Sequence, residues 1–200
     1  MYSNNKLIII DFDGTLYKKD SLIVFCLYVY RKHPSKLWVL FPQIVASILH
    51  ILKIITTKRY KEIFLLFLSG FDESEVQILA INFWNSLNQN QFNPSLLELI
   101  NKNECRIICI SASPELYLKP LLDKMNIELI GTLLNYSNNR YSIVGENCKG
   151  QEKVNRLKKY LGYDAFEIEE SYSDSLSDKP LFELSKRCYF VKSDSTIIQI

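Results

Sequence analysis

Four consecutive apolar residues, Leu7 to Ile10, run straight into Asp-Phe-Asp-Gly-Thr-Leu at positions 11–16. An unbroken apolar run this short suits a strand of a parallel sheet, buried on both faces. The pattern recurs at Cys105–Ile110 before Ser-Ala-Ser-Pro-Glu, at Ile127–Ile130 before Gly-Thr, at Ala165–Ile168 or slightly beyond, and at Tyr189–Val191. Helical patterns lie between. Leu22–Tyr30 follows a candidate N-cap at Asp20 or Ser21 and ends before Pro34. Lys58–Ser69 ends at Gly70, Asp72-Glu-Ser-Glu75 opens a helix running to about Asn88, and Pro94–Asn103 forms another. Tyr117–Met125 and a segment starting near Gly150 complete the helices. Leu133–Tyr136 and Tyr141–Val144 flank Ser-Asn-Asn as a hairpin. Strands alternating with helices predict an α/β fold with a doubly wound, Rossmann-like parallel sheet.

The stretch Leu37–Ile55 breaks the pattern, because 19 residues so apolar are long enough to cross a bilayer. Its polar residues Gln43, Ser47 and His50 fall at i, i+4 and i+7, one narrow stripe on a helix. A single crossing would put Asp11 on one side of the membrane and all later candidate residues on the other. Two readings remain open. One is a strongly apolar soluble segment packed on itself or on a second copy. The other is a hairpin in the membrane interface, with Arg31, Lys32, Lys36, Lys58, Arg59 and Lys61 at headgroup level.

Composition narrows the function classes. Two hundred residues are enough for one core domain with an insertion. The formal charge is +2, from 24 basic and 22 acidic residues, so no polyelectrolyte signal points to nucleic acid. Five cysteines, odd in number and without a Cys-x-x-Cys pair, read as free thiols of a reducing cytoplasm. The four-residue apolar run near the N-terminus is too short for a signal peptide.

Candidate chemistry sits at the predicted strand ends, where open α/β sheets bind their ligands. Asp11 and Asp13 alternate along an extended segment, so both can face one site while Phe12 packs. Paired carboxylates there suit a hard cation, a nucleophile and an acid/base. Ser111, at a strand end before a helix, suits a phosphate cradle of hydroxyl and backbone N–H groups; an ordinary cap before Pro114 is the alternative. A helix starting near Gly150 places Lys153 in its first turn, pointing back toward the strand ends; a solvated helix lysine is the alternative. Asp174 and Asp178 lie in an acidic loop after the next strand.

Asp-Phe-Asp-Gly-Thr-Leu, the Ser111 segment, Asn-Cys-x-Gly-x-Glu-Lys-Val-x-Arg-Leu at 147–157 and Ser-Asp-Ser-Leu-Ser-Asp at 173–178 occur in order. Together they resemble the four motifs of the haloacid dehalogenase (HAD) superfamily, over essentially Leu7–Val191. The closest likeness is to the phosphoserine-phosphatase-like subfamily IB. The second acid, Asp13, favours phosphotransfer, since the dehalogenases of the family lack it. The resemblance implies Asp11 as nucleophile, Asp13 as general acid/base and Lys153 as the third catalytic residue. It implies phosphate or substrate contacts from Ser111, Ala112, Thr15 and Asp20. Mg²⁺ would be held by Asp11, Asp13 (through its carbonyl) and Asp174, with Asp178 in support. It also divides the chain into an α/β core, 1–16 and 91–200, and an inserted helical C1-type cap, 17–90.

The implied function is Mg²⁺-dependent hydrolysis of a phosphate monoester through an aspartyl-phosphate. The implied location is cytoplasmic, with peripheral attachment to the inner face of the membrane on the interfacial reading. Partners follow the same division: a small phosphate ester, or a lipid phosphate with membrane contact through 22–61, or a homodimer through the apolar cap. The apolar segment and the Tyr-Ser-Asp-Ser form of the last motif resemble phosphatidylglycerophosphatase C, a membrane-associated lipid phosphatase. Ser173 departs from the family pattern, which has glycine there. A non-catalytic binding protein on this fold would be expected to lose at least one of the six motif residues.

Overall fold

The computed structural model describes residues 6–102, 105–162 and 166–200. Strand β1 (Lys6–Ile10) leads through the Asp11 loop into α1 (Ser21–Lys32). A 3₁₀ segment, Pro34–Val39, precedes α2 (Leu40–Ile51). Next come α3 (Thr57–Phe64) with a 3₁₀ turn at Leu65–Leu68, α4 (Glu73–Asn85) and α5 (Pro94–Lys102). The chain then returns to strand β2 (Arg106–Pro114), α6 (Glu115–Lys124) and β3 (Glu128–Thr132). A hairpin of β4 (Leu134–Ser137) and β5 (Arg140–Ile143) precedes α7 (Gln151–Leu161). Strand β6 (Glu167–Ser173), the short α8 (Lys179–Phe182), β7 (Ser185–Val191) and β8 (Ile197–Gln199) complete the order.

Six strands form one sheet in the order β3-β2-β1-β6-β7-β8. All neighbours are parallel except β7 and β8. The doubly wound α/β class is therefore present. Chain order reverses between β1 and β6, which makes the ends of these central strands the switch point where such sheets bind ligands.

Side-chain alternation explains why β1 is apolar from Leu7 to Ile10. Ile8 and Ile10 join a cluster with Phe25, Val29 and Phe83 of the helical segment, while Leu7 and Ile9 pack on the other side with Ile110, Val154 and Leu157. Burial on both faces leaves no position for a polar residue until the strand ends. The helices between β1 and β2 therefore share one continuous core with the sheet. Trp84 strengthens the seam: its indole donates to the Tyr117 carbonyl (2.6 Å), and its ring stacks on Tyr117 at 6.2 Å.

Local signals decide several boundaries. Asp20 caps α1 by accepting from the Ile23 amide, and Asp72 with Glu75 forms a capping box on α4. Asn138 and Asn139 both have positive φ (50° and 59°), so the hairpin turn has these two residues at its centre.

Several expectations need correction. Leu37–Ile55 comprises the end of the 3₁₀ segment, α2 and the turn that follows it. The helix from Asp72 ends at Asn85, not Asn88. Strand β2 runs four residues past Ile110, to Pro114, and β6 runs to Ser173, well past Ile168; Ala165, where that strand was predicted to begin, lies outside the described residues, as does Asn103. Strand β8, a three-residue edge, has no clear signal in the sequence. None of the five cysteines forms a disulfide.

Candidate active site

At the ends of β1, β2 and β6 lies a cavity of about 320 Å³, lined by Asp11, Asp13, Asp20, Lys61, Ser111, Ala112, Asn147, Lys149, Lys153, Asp174 and Asp178. A larger groove of about 830 Å³ runs among α4, α5 and α6 past Trp84, Leu97 and Met125. Glu98 is its only carboxylate, so chemistry selects the smaller cavity.

Lys153 is the hinge of the site. Its ammonium donates to Asp11 Oδ1 at 2.8 Å and to Asp178 Oδ2 at 2.6 Å, and its side chain is only 3% exposed. Burial disfavours the lysine charge, but Asp11 and Asp178 outweigh that effect and raise its pKa. Burial likewise pushes the Asp11 carboxyl up, to about 7, against the pull of Lys153. Helix α7 delivers this lysine from its first turn, after Gly150 with φ 58°.

Asp13 is held from two sides. Its Oδ1 accepts from the Ser21 amide (2.7 Å) and its Oδ2 from the Ser113 hydroxyl (2.5 Å). Burial raises its pKa and these bonds oppose the rise. Ser111 is buried, lines the cavity and accepts from the Ser113 amide at 3.0 Å. The capping alternative for Ser111 does not hold, because Pro114, which has no hydroxyl, occupies the N-cap of α6. Ser111 and Ser113 thus line the cavity instead of capping α6.

The last loop is anchored from behind. Thr15, expected at the substrate, does not line the cavity; its hydroxyl accepts from the Asp174 amide at 2.9 Å and lies 3.5 Å from Asp174 Oδ1. Asp174 comes so close to Gly14 (φ 73°) that a Cβ there would lie 2.1 Å from its Oδ2. Only glycine leaves room for that approach. Asp20 combines two positions, N-cap of α1 and exposed rim of the cavity. Ser173 needs no glycine-like backbone. It sits in β6, and its hydroxyl donates to Asp178 Oδ2 at 2.7 Å.

Two contributors escape the motif reading. Lys61, expected with Lys58 and Arg59 at a headgroup layer, turns inward from α3 and donates to Ala112 O (2.9 Å) and Asn147 Oδ1 (2.8 Å). Burial lowers its pKa to about 8. Ser113 is the other. Its signal was present, since it lies two residues after Ser111 on one strand and so shares its face.

The residues present fit a divalent cation. Five carboxylates line the cavity against three lysines, leaving a formal −2. Asp178 Oδ1 is buried and lacks a hydrogen-bond partner. Among the described residues no group of three or more His, Cys, Asp or Glu side chains is placed to hold a metal ion by itself. That pattern suits Mg²⁺, which takes one or two carboxylates and completes its shell with carbonyl, phosphate and water oxygens.

The model of the haloacid dehalogenase-like hydrolase family matches residues 8–183. The chain belongs to that family. Three structures of similar fold illustrate it. A protein of unknown function from Bordetella pertussis Tohama I has a TM-score of 0.76 at 19% identity, covering 92% of this chain and 88% of its own. A phosphoserine phosphohydrolase-like protein from Francisella tularensis gives 0.58 at 22%, covering 92% and 85%. A probable phosphoserine phosphatase from Vibrio cholerae gives 0.65 at 15%, covering 92% and 55%. Among curated proteins none matches this chain. The resemblance to the HAD superfamily is thereby borne out, and with it a phosphoserine-phosphatase-like fold and a hydrolase.

Proposed function

We propose that the chain is a Mg²⁺-dependent phosphatase of the phosphoserine-phosphatase-like group, acting on a phosphate monoester. The observation that carries this reading is the buried Lys153 bridging Asp11 and Asp178, with Asp13 two residues from Asp11 at the same strand end. Lys153 keeps Asp11 aimed and pulls its pKa down, against the larger upward effect of burial. Asp11 then attacks phosphorus in line, forming the Asp11 acyl-phosphate bond as the ester P–O bond breaks. Asp13 gives its proton to the leaving oxygen and afterwards takes one from the water that releases inorganic phosphate. The Ser111 hydroxyl, the Ala112 amide and Lys153 hold the phosphoryl oxygens, and Lys61 adds positive charge from the helical side.

Asp11, the Asp13 carbonyl and Asp174 would hold Mg²⁺, with Asp178 supporting the shell. The metal would neutralise the phosphoryl charge as it develops. Residues 17–90 serve as the cap, excluding water and selecting the substrate, with Thr57 and Lys61 as its contribution to the cavity wall.

A lipid phosphate is the second reading of the substrate, favoured by the apolar outer face of α2. The deciding experiment is phosphate release with and without Mg²⁺ from phosphoserine, sugar phosphates and phosphatidylglycerophosphate, with Asp11→Asn as the blank. The expected loss in Asp11→Asn is about a thousandfold or more. Equal rates for wild type and Asp11→Asn would overturn the enzyme reading.

A further inference from the structure

Helix α2 is inside out. Its polar stripe faces the protein: Gln43 is 5% exposed, its Oε1 accepts from Tyr30 Oη (2.8 Å), and its Nε2 donates to Phe64 O (2.8 Å). Ser47 bonds back to Gln43 O, and His50 stacks on Tyr60 at 4.9 Å. The opposite face carries Phe41 at 75%, Ile44 at 58%, Ile48 at 52% and Ile51 at 78% exposure, with Trp38 and Ile54 exposed beyond its ends. Turning the helix to bury these side chains would break the Gln43 bonds to Tyr30 and Phe64. The outward apolar face is therefore built in. The window Pro34–Ile51 is apolar and long enough to cross a membrane, yet only 17% of it is buried, the reverse of a core helix. Buried Val39, Gln43 and Ala46 tie one side of it to the rest of the fold, so it lies along a surface and does not span.

Charge identifies the occupant. From Ser21 to Lys61 the chain has seven lysines and arginines and no Asp or Glu, although the whole chain is nearly neutral; Lys36, Lys58 and Lys61 donate to carbonyls of the protein, which leaves four for the surface. Arg31 and Lys32 are exposed before the apolar face, and Lys53 and Arg59 after it. Lys53 even holds the left-handed turn that ends α2 (φ 58°), where glycine fits more easily. A two-fold contact between copies would set this segment against itself, with no acid between Ser21 and Lys61 to answer Arg31, Lys32 and Lys53; Arg59 meets Glu62 of its own helix at 3.7 Å. An anionic bilayer answers both features, apolar acyl chains for the face and negative headgroups for its flanks.

We propose that the outer face of α2 docks this protein on an anionic lipid surface. The docking goes beyond the phosphatase reading and does not depend on it. The link that ends this face leads directly into α3, whose Thr57 and Lys61 wall the cavity.

The test is co-sedimentation of the full chain with phosphatidylcholine vesicles, with and without about a third phosphatidylglycerol. Wild type and Asp11→Asn should bind the anionic vesicles equally, and salt should weaken the binding. Phe41→Ser/Ile44→Ser/Ile48→Ser should lose about a hundredfold in partitioning, and Lys53→Gln/Arg59→Gln about tenfold. The triple variant should keep the cooperative thermal unfolding of wild type, which shows that it is folded. The proposal fails if wild type stays in the supernatant with both vesicles, or if the triple variant binds as wild type does. It also fails if the triple variant abolishes a dimer in sedimentation equilibrium while wild type ignores lipid, which would make the occupant a second copy. Vesicle binding without any phosphate release would leave the docking intact and sink the phosphatase reading alone.

Discussion

The floor of the cavity and the outer face of α2 break the same rule in opposite directions. Charged residues are ordinarily outside and large apolar ones inside. At the floor, Lys153 and Asp178 are buried, and each is held by specific partners. On α2, Phe41 and Ile51 face out and nothing within the described residues covers them. Departures of this kind mark where a protein departs from stability for function. The difference lies in how each is supported. The floor is compensated inside the molecule by ion pairs and hydrogen bonds at every named group but Asp178 Oδ1, whereas the α2 face is left for something outside it. The two regions should therefore respond to substitution in opposite ways.

The largest effect is expected at the floor. Lys153→Met leaves Asp11 and Asp178 buried without their cation and should destabilise the metal-free protein by about 3–5 kcal/mol near neutral pH. The loss has a definite pH sign. Asp11 is already raised to about 7 by burial, and losing Lys153 removes the main opposing charge. A carboxyl raised in the folded state adds stability at low pH and loses it as pH rises through the folded value. Melts of the variant and wild type should differ less at pH 5 than at pH 8; an equal gap at both would remove the electrostatic account of the floor.

Next comes the comparison within α2. Gln43→Leu strands the Tyr30 hydroxyl and the Phe64 carbonyl and should cost about 1–3 kcal/mol in denaturant unfolding. Phe41→Ser, a far more drastic change on a hydropathy scale, should stay within about 0.5 kcal/mol of wild type. A large loss for Phe41→Ser would mean that the face is packed in solution and would break the contrast.

Catalytic support from Ser113 follows. Ser113→Ala frees Asp13 Oδ2 and should lower kcat roughly tenfold or more with little change in KM. A change confined to KM would make Ser113 a substrate contact. The smallest effect belongs to Lys61, whose pKa is lowered to about 8 by burial. As pH rises above 8 it loses the charge that favours a phosphate, so kcat/KM should decline there beyond the decline of Lys61→Gln. Matching profiles would place Lys61 outside the binding step.

How far these features were legible depends on their range along the chain. Ser111, Lys153, Asp174 and Asp178 were picked from ordinary alternatives by the resemblance to the family motifs, whereas Asp11 and Asp13 were readable because they end a strand within a few residues. The strand then aims the side chain by local geometry alone. The role of Thr15 was not readable, because its partner Asp174 lies 159 positions away. Ser173 was legible only as a departure; its value, a hydroxyl for Asp178, required seeing where β6 ends.

By itself, then, the sequence determined the alternating strands and helices, the acids at the strand ends, and the presence of one polar stripe on α2. Periodicity and adjacency carry these, and both are properties of neighbouring residues. Only the tertiary structure decided which side of α2 faces the protein and that Lys61 turns inward while Arg59 does not. A helical pattern defines faces but not directions. Direction is set by distant partners, here Tyr30 and Phe64 for Gln43 and Ala112 and Asn147 for Lys61, whose positions the chain reaches only on folding.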